Sequence, residues 1–121
     1  MSVTLELPFP HRTLSPNARL HWRAKAKAVA SYRESCGWIA NEAFGRVGRL
    51  APPVQADVVF ILPDRRRRDL DNLMAMLKPA WDGMVDGGLL EDDQAGMLEI
   101  GQPKVAYDRG LAWVKVTLSS G

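Results

Sequence analysis

The chain is 121 residues long, 46% hydrophobic and 25% charged, with one cysteine. That is one domain's worth of chain with enough apolar side chain to bury its own core, which excludes a disordered protein, a disulfide framework and a zinc site built on paired cysteines. The net charge of +2 is the sum of a basic stretch (residues 1–68, twelve Lys/Arg against five Asp/Glu) and an acidic one (residues 69–121, four against nine), a split that suits a polyanionic partner with cations held close to it, chance segregation being the plain alternative.

The opening Met1-Ser2-Val3-Thr4-Leu5-Glu6 lacks the basic-then-apolar order of a secretory signal, and no run of eighteen apolar residues follows. Neither export nor a membrane span is expected, and the lone Cys36 fits a reducing, cytoplasmic compartment. Val3, Leu5 and Leu7 alternate as in a short strand, ended by Leu7-Pro8-Phe9-Pro10. In the polar loop His11 to Asn17, Ser15-Pro16-Asn17 offers helix-starting chemistry, and His11 and His21 have no paired metal-ligand spacing. Trp22, Ala26, Val29, Cys36, Ala40 and Ala43 predict a helix over roughly 18–44 with one buried face. Arg19, Arg23, Lys25, Lys27 and Arg33 decorate its loop end and outer face. Gly37 weakens this helix by about 1 kcal/mol relative to Ala and is where a bend would fall.

After a Gly, Arg and Pro loop, Val54 to Leu62 reads as a central strand that Pro63 ends. The charged run Asp64 to Asn72 leads into a second helix with Leu73, Leu77, Trp81 and Met84 on its apolar face. Pro79 should kink or divide that helix and Gly87-Gly88 end it. Beyond the acidic connection Leu89-Leu90-Glu91-Asp92-Asp93, two strands at about 97–107 and 111–118 are expected to form a hairpin at Asp108-Arg109-Gly110. The expectation is a small single α+β domain spanning residues 1–121 in the order β-α-β-α-β-β.

Asp69 and Asp71 lie two residues apart at the strand-to-helix junction, and Asp92-Asp93 can return to the same end of the sheet if the helix doubles back. Converging carboxylates raise one another's pKa unless a cation shares the site, and hard oxygen donors select Mg²⁺, with Mn²⁺ as substitute. Arg65, Arg66, Arg67 and Arg68 immediately precede the pair, and guanidinium forks bind phosphate oxygens. Together these residues suggest phosphodiester cleavage. Taken singly, Asp69 or Asp71 is as well read as a helix cap, Asp92-Asp93 as a solvated turn and the arginines as a solvated face. No GxxxxGK[ST] or GxGxxG loop is present, so no nucleotide cofactor is expected.

The run Pro63-Asp64-Arg65-Arg66-Arg67-Arg68-Asp69-Leu70-Asp71-Asn72-Leu73 closely resembles the RusA family of Holliday-junction resolvases of bacteria and phages. The likeness extends to Leu7-Pro8-Phe9-Pro10, the basic loop, Tyr32-Arg33, Trp81-Asp82-Gly83 and Glu91-Asp92-Asp93. It implies a RusA-like homodimer that cuts four-way DNA junctions with Mg²⁺, working in a bacterial or phage-infected cell. Asp69, Asp71 and Asp93 match the family's metal-binding aspartates, with Asp92 beside the third. The family's catalytic lysine is replaced by Ala75, but Lys78, seven residues after Asp71, would return to the same face of an unbroken helix. Arg65 to Arg68 with Arg19, Arg23, Lys25 and Lys27 would track phosphates. A C₂ dimer would supply two matched sites for the two cuts, with Met74, Met76 and Trp81 a candidate interface. A branched-DNA-binding module that does not cut, and a less selective Mg²⁺ nuclease acting on flaps, are the rival readings.

Overall fold

The computed structural model describes residues 1–120, in which a five-stranded mixed sheet buries one face under helices. In chain order the elements are β1 (Ser2–Pro8), a 3-10 turn (Arg12–Leu14), α1 (Trp22–Val47), β2 (Val54–Leu62), α2 (Leu70–Met76) and α3 (Lys78–Asp86), then β3 (Leu98–Ile100), β4 (Lys104–Tyr107) and β5 (Trp113–Ser120). β5 lies antiparallel between β1 and β2, while β3 and β4 follow one another parallel along the far side of β2. The period-two alternation seen in the sequence lines up across strands: Leu5–Val116–Val58, Leu7–Val114–Phe60 and Val3–Leu118–Ala56 form three buried rows. Cys36, Ala40 and Ala43 of α1 and Ala80, Trp81 and Met84 of α3 close the same core. Among the described residues no helix is long and apolar enough to cross a membrane.

The two main helices touch backbone to backbone. A Cβ on Gly83 would stand 2.4 Å from the Arg33 carbonyl oxygen, and one on Gly87 would stand 2.5 Å from that of Gly37. Gly37 is therefore part of a helix crossing, and α1 runs through it without a break. The Tyr32 hydroxyl donates to the Pro8 carbonyl at 2.7 Å, fastening α1 to the end of β1. Burial raises the pKa of that hydroxyl far above its ordinary value and pushes the neighbouring Cys36 thiol up to about 11, so Cys36 is a buried apolar residue and no nucleophile.

The strand at 54–62, the helix end at Gly87 and the division at Pro79 match the sequence reading. Pro79 has no N–H to give the Ala75 carbonyl, so the ladder ends at Leu77, whose N–H is shared by Leu73 and Met74, and a new helix begins. Other expectations are corrected. The first helix starts at Trp22 behind an N-cap made by His21 Nδ1, which accepts from the Arg23 N–H at 3.2 Å; Ser15-Pro16-Asn17 does not start it. Trp22 and Ala26, in its first turns, are exposed. The final strands form no hairpin: β4 and β5 flank β2 on opposite sides, and the Asp108 N–H donates to Leu62 O at 3.0 Å as the chain crosses over. The long edge strand is split, because β2 advances three residues from Ala56 to Val59 while its partner advances four from Ile100 to Lys104, a bulge that holds Pro103. The order is thus β-α-β-α-α-β-β-β. Met76 and Trp81 are in the monomer core, which removes them as a dimer interface.

Candidate active site

β1, β2 and β4 run in one direction, so their C-terminal ends share one edge of the sheet. The arginine loop leaves from that edge. Asp64 organises it: its carboxylate accepts from the Arg66 backbone N–H at 3.0 Å and from Arg66 Nε at 3.1 Å, and pairs with Arg68 Nη1 at 3.1 Å. The backbone N–H of Arg66, then the two guanidiniums, hold the Asp64 carboxyl below the ordinary carboxylate range. Arg68, with only 18% of its side chain exposed, also donates to the carbonyls of Asp64 and Arg66. It builds the loop. Arg65 lies 4.2 Å above the Tyr107 ring at the end of β4, and Arg67 is exposed with no ion pair among the described residues.

Asp69 is the N-cap of α2, its Oδ1 accepting from the N–H groups of Asp71 at 2.9 Å and Asn72 at 3.3 Å. One oxygen is thereby used by the helix, and Oδ2 takes no hydrogen bond among the described residues. Asp71, in the first turn, is exposed and its carboxylate takes no hydrogen bond among the described residues. Asn72 accepts from Ser15 Oγ at 3.0 Å, and Lys25 Nζ donates to the Ser15 carbonyl at 3.1 Å, which ties the N-terminal basic loop and the start of α1 to this helix end.

Lys78 is the first residue of α3, exposed, and no longer on the helix that carries Asp71. Four residues on, Asp82 faces the same way along α3. Burial first, then the Asp82 carboxyl, raises the pKa of Asp93, and Asp92 accepts the Asp93 backbone N–H at 2.7 Å. Arg33, the cation nearest on α1, is held in a two-pronged pair by Asp86 at 2.6 and 2.9 Å. The side chains are about half exposed, so this pair contributes little to stability. Sequence reasoning missed Asp82, although its spacing of four from Lys78 was a usable signal.

The carboxylates thus stand in two groups, Asp69 with Asp71 at the head of α2 and Asp82 with Asp93 and Asp92 beside α3. Among the described residues no three His, Cys, Asp or Glu side chains are grouped so as to hold one metal ion. The expected convergence of Asp93 on Asp69 and Asp71 is therefore not seen; Asp93 meets α3 instead. The donors are nonetheless the hard oxygens a Mg²⁺-type cation takes, and the neighbourhood of Asp82 that raises the Asp93 pKa is one that such a cation would relieve. A groove of about 670 Å³ between Pro8-Phe9 and Leu111 to Trp113 holds Glu6 as its one charged side chain and is not where this chemistry lies. Arg19, Arg23 and Lys27 are exposed around the same N-terminal loop.

The sequence profile described as "Endodeoxyribonuclease RusA" matches residues 12–117. The "Crossover junction endodeoxyribonuclease RusA" of Escherichia coli K12 is 37% identical over 96 residues, covering 76% of this chain and 74% of that protein. An uncharacterized protein of Xylella fastidiosa is 39% identical over 93 residues, or 74% of this chain and 60% of that protein. The protein of the same RusA name in Aquifex aeolicus is 33% identical over 69 residues, or 57% of this chain and 52% of its own length. With the match running from the turn after β1 to within β5, the chain belongs to the RusA family of endodeoxyribonucleases.

Proposed function

We propose that the protein is a Mg²⁺-dependent endodeoxyribonuclease, with Mn²⁺ as substitute, that resolves four-way DNA junctions as a homodimer in the bacterial cytoplasm. The observation that carries this reading is the head of α2, where Asp69 and Asp71 follow directly on a loop of four arginines. Relatives named as crossover junction endodeoxyribonucleases support the substrate class. Asp69 and Asp71 would offer cation donors at the head of α2, and Asp93 with Asp82 and Asp92 a second set beside α3; a bound cation would supply an activated water and neutralise charge at the scissile phosphate. Asp69 keeps one oxygen on the helix and offers the other; Asp71 offers both. Arg65 and Arg67 would hold the flanking phosphates, with Arg68 keeping their loop in shape. The Lys78 ammonium would offset charge building up on the phosphoryl oxygens. Two cuts at symmetry-related strands call for two such sites, and a C₂ dimer provides them.

The test is incubation of the pure protein with a mobile four-way junction, a flap and a linear duplex, each in Mg²⁺ and in EDTA. Paired nicks in the junction alone, abolished by EDTA, are expected. Equal cutting of the flap would make it a less selective nuclease, and binding without cutting in either metal would make it a binding module. Lys78→Ala should slow single-turnover cleavage at least tenfold, about 1.4 kcal/mol of transition-state stabilisation, with junction affinity little changed. A normal rate would remove Lys78 from the chemistry. Arg67→Gln, which breaks no ion pair among the described residues, should lower the slope of log affinity against log salt by about one. An unchanged slope would return Arg67 to the solvated surface.

A further inference from the structure

We propose that Trp22 is a stacking platform for a nucleobase left unpaired or unstacked at the branch point of the DNA, an inference that rests on the junction reading above. Trp22 opens α1 and is 68% exposed, although an indole is among the side chains that gain most from burial. It is held in place at the same time. The His21 ring stacks on it at 5.7 Å and 28° while capping the helix, and the Arg23 guanidinium lies over it at 5.2 Å. An exposed aromatic ring with a cation beside it is what single-stranded and branched nucleic acids use, because every base has a π-face and every nucleotide a phosphate.

The surroundings select the partner. Arg23 lies over the ring, Arg19 and Lys27 are exposed within five residues of it along the chain, and no acidic residue occurs between Glu6 and Arg33, so this stretch offers an apolar plane in a basic segment. It is also linked to the proposed cutting site. Lys25, three residues along the same face of α1, donates to the Ser15 carbonyl, and the Ser15 hydroxyl donates to Asn72 in the first turn of α2 beside Asp71. A base on Trp22 would thus be registered against the aspartates through two hydrogen bonds. Continuous duplex has every base stacked between neighbours, whereas a branch point breaks that stack, so the platform favours branched over linear DNA.

The experiment measures binding to a four-way junction and to a linear duplex in EDTA, across a range of salt, for wild type, Trp22→Ala, Trp22→Phe and Trp38→Ala. Trp38 is the control: equally exposed at 69%, on the same helix, but roughly 24 Å farther along it. Trp22→Ala should weaken junction binding at least about fivefold, the low end of one base–aromatic stack, while leaving the salt slope and duplex binding unchanged. Trp22→Phe should restore most of the loss and Trp38→Ala should have none. An unchanged affinity for Trp22→Ala, an equal loss on duplex, or a reduced salt slope would overturn the inference while leaving the junction reading intact. A change in oligomeric state on Trp22→Ala would assign the ring to a contact between copies and overturn it too. Failure of the wild type to prefer junctions brings down both readings and is visible before any variant is made.

Discussion

Asp71→Asn is expected to reduce single-turnover cleavage of a four-way junction by at least about a hundredfold, close to 2.7 kcal/mol of transition-state stabilisation, while binding in EDTA is retained or tightened. Asp71 sits at the mouth of α2 with its carboxylate in solvent and no hydrogen bond among the described residues, so the isosteric amide costs the fold little. What it removes is a negative charge that would hold a cation and that repels the phosphates when no cation is there. Asp69→Asn should behave alike for a second reason, since Asn caps a helix about as well as Asp. Gel-shift titration beside the cleavage assay separates the outcomes. Binding lost in step with cleavage would make Asp71 part of the scaffold.

Much of this site was legible in the sequence because it depends on neighbours along the chain. The strand Val54 to Leu62, its end at Pro63 and the cap chemistry of Asp69 are local matters, decided by β-branched side chains, a missing N–H and a short carboxylate. Pro79 likewise announced the break between α2 and α3. What it could not announce is the direction of the new helix, so Lys78, expected on the helix face of Asp71, opens a separate helix instead. Asp108-Arg109-Gly110 has the composition of a hairpin turn, but composition does not say which strand is the partner, and β2 lies between the two strands it joins. Trp22 and Ala26 continue the apolar stripe of α1 yet are exposed, and a stripe does not record which of its members find a partner. Gly37, Gly83 and Gly87 look like helix weaknesses one at a time; only their meeting across two helices explains them.

That meeting gives the largest expected effect on stability. Gly83→Ala should destabilise the protein by about 3 kcal/mol or more, although alanine is the better helix former by about 1 kcal/mol. The new Cβ would fall 2.4 Å from the Arg33 carbonyl oxygen and 2.9 Å from the Gly37 nitrogen, both backbone atoms of α1 that no rotamer change can move aside. The helices would have to part, and with them the packing of Cys36 and Ala40 against Ala80 and Met84. Gly45→Ala provides the opposite sign from the same chemical change: it lies in α1 with nothing within 4 Å of the added Cβ, so it should stabilise by up to about 1 kcal/mol. Urea unfolding of the two variants reads the difference directly. If Gly83→Ala unfolded with the wild-type midpoint, α1 and α3 would not be in backbone contact in solution. The same substitution tests the active site indirectly, because α3 carries Lys78 and Asp82, and parting it from α1 should lower cleavage even though neither residue has changed.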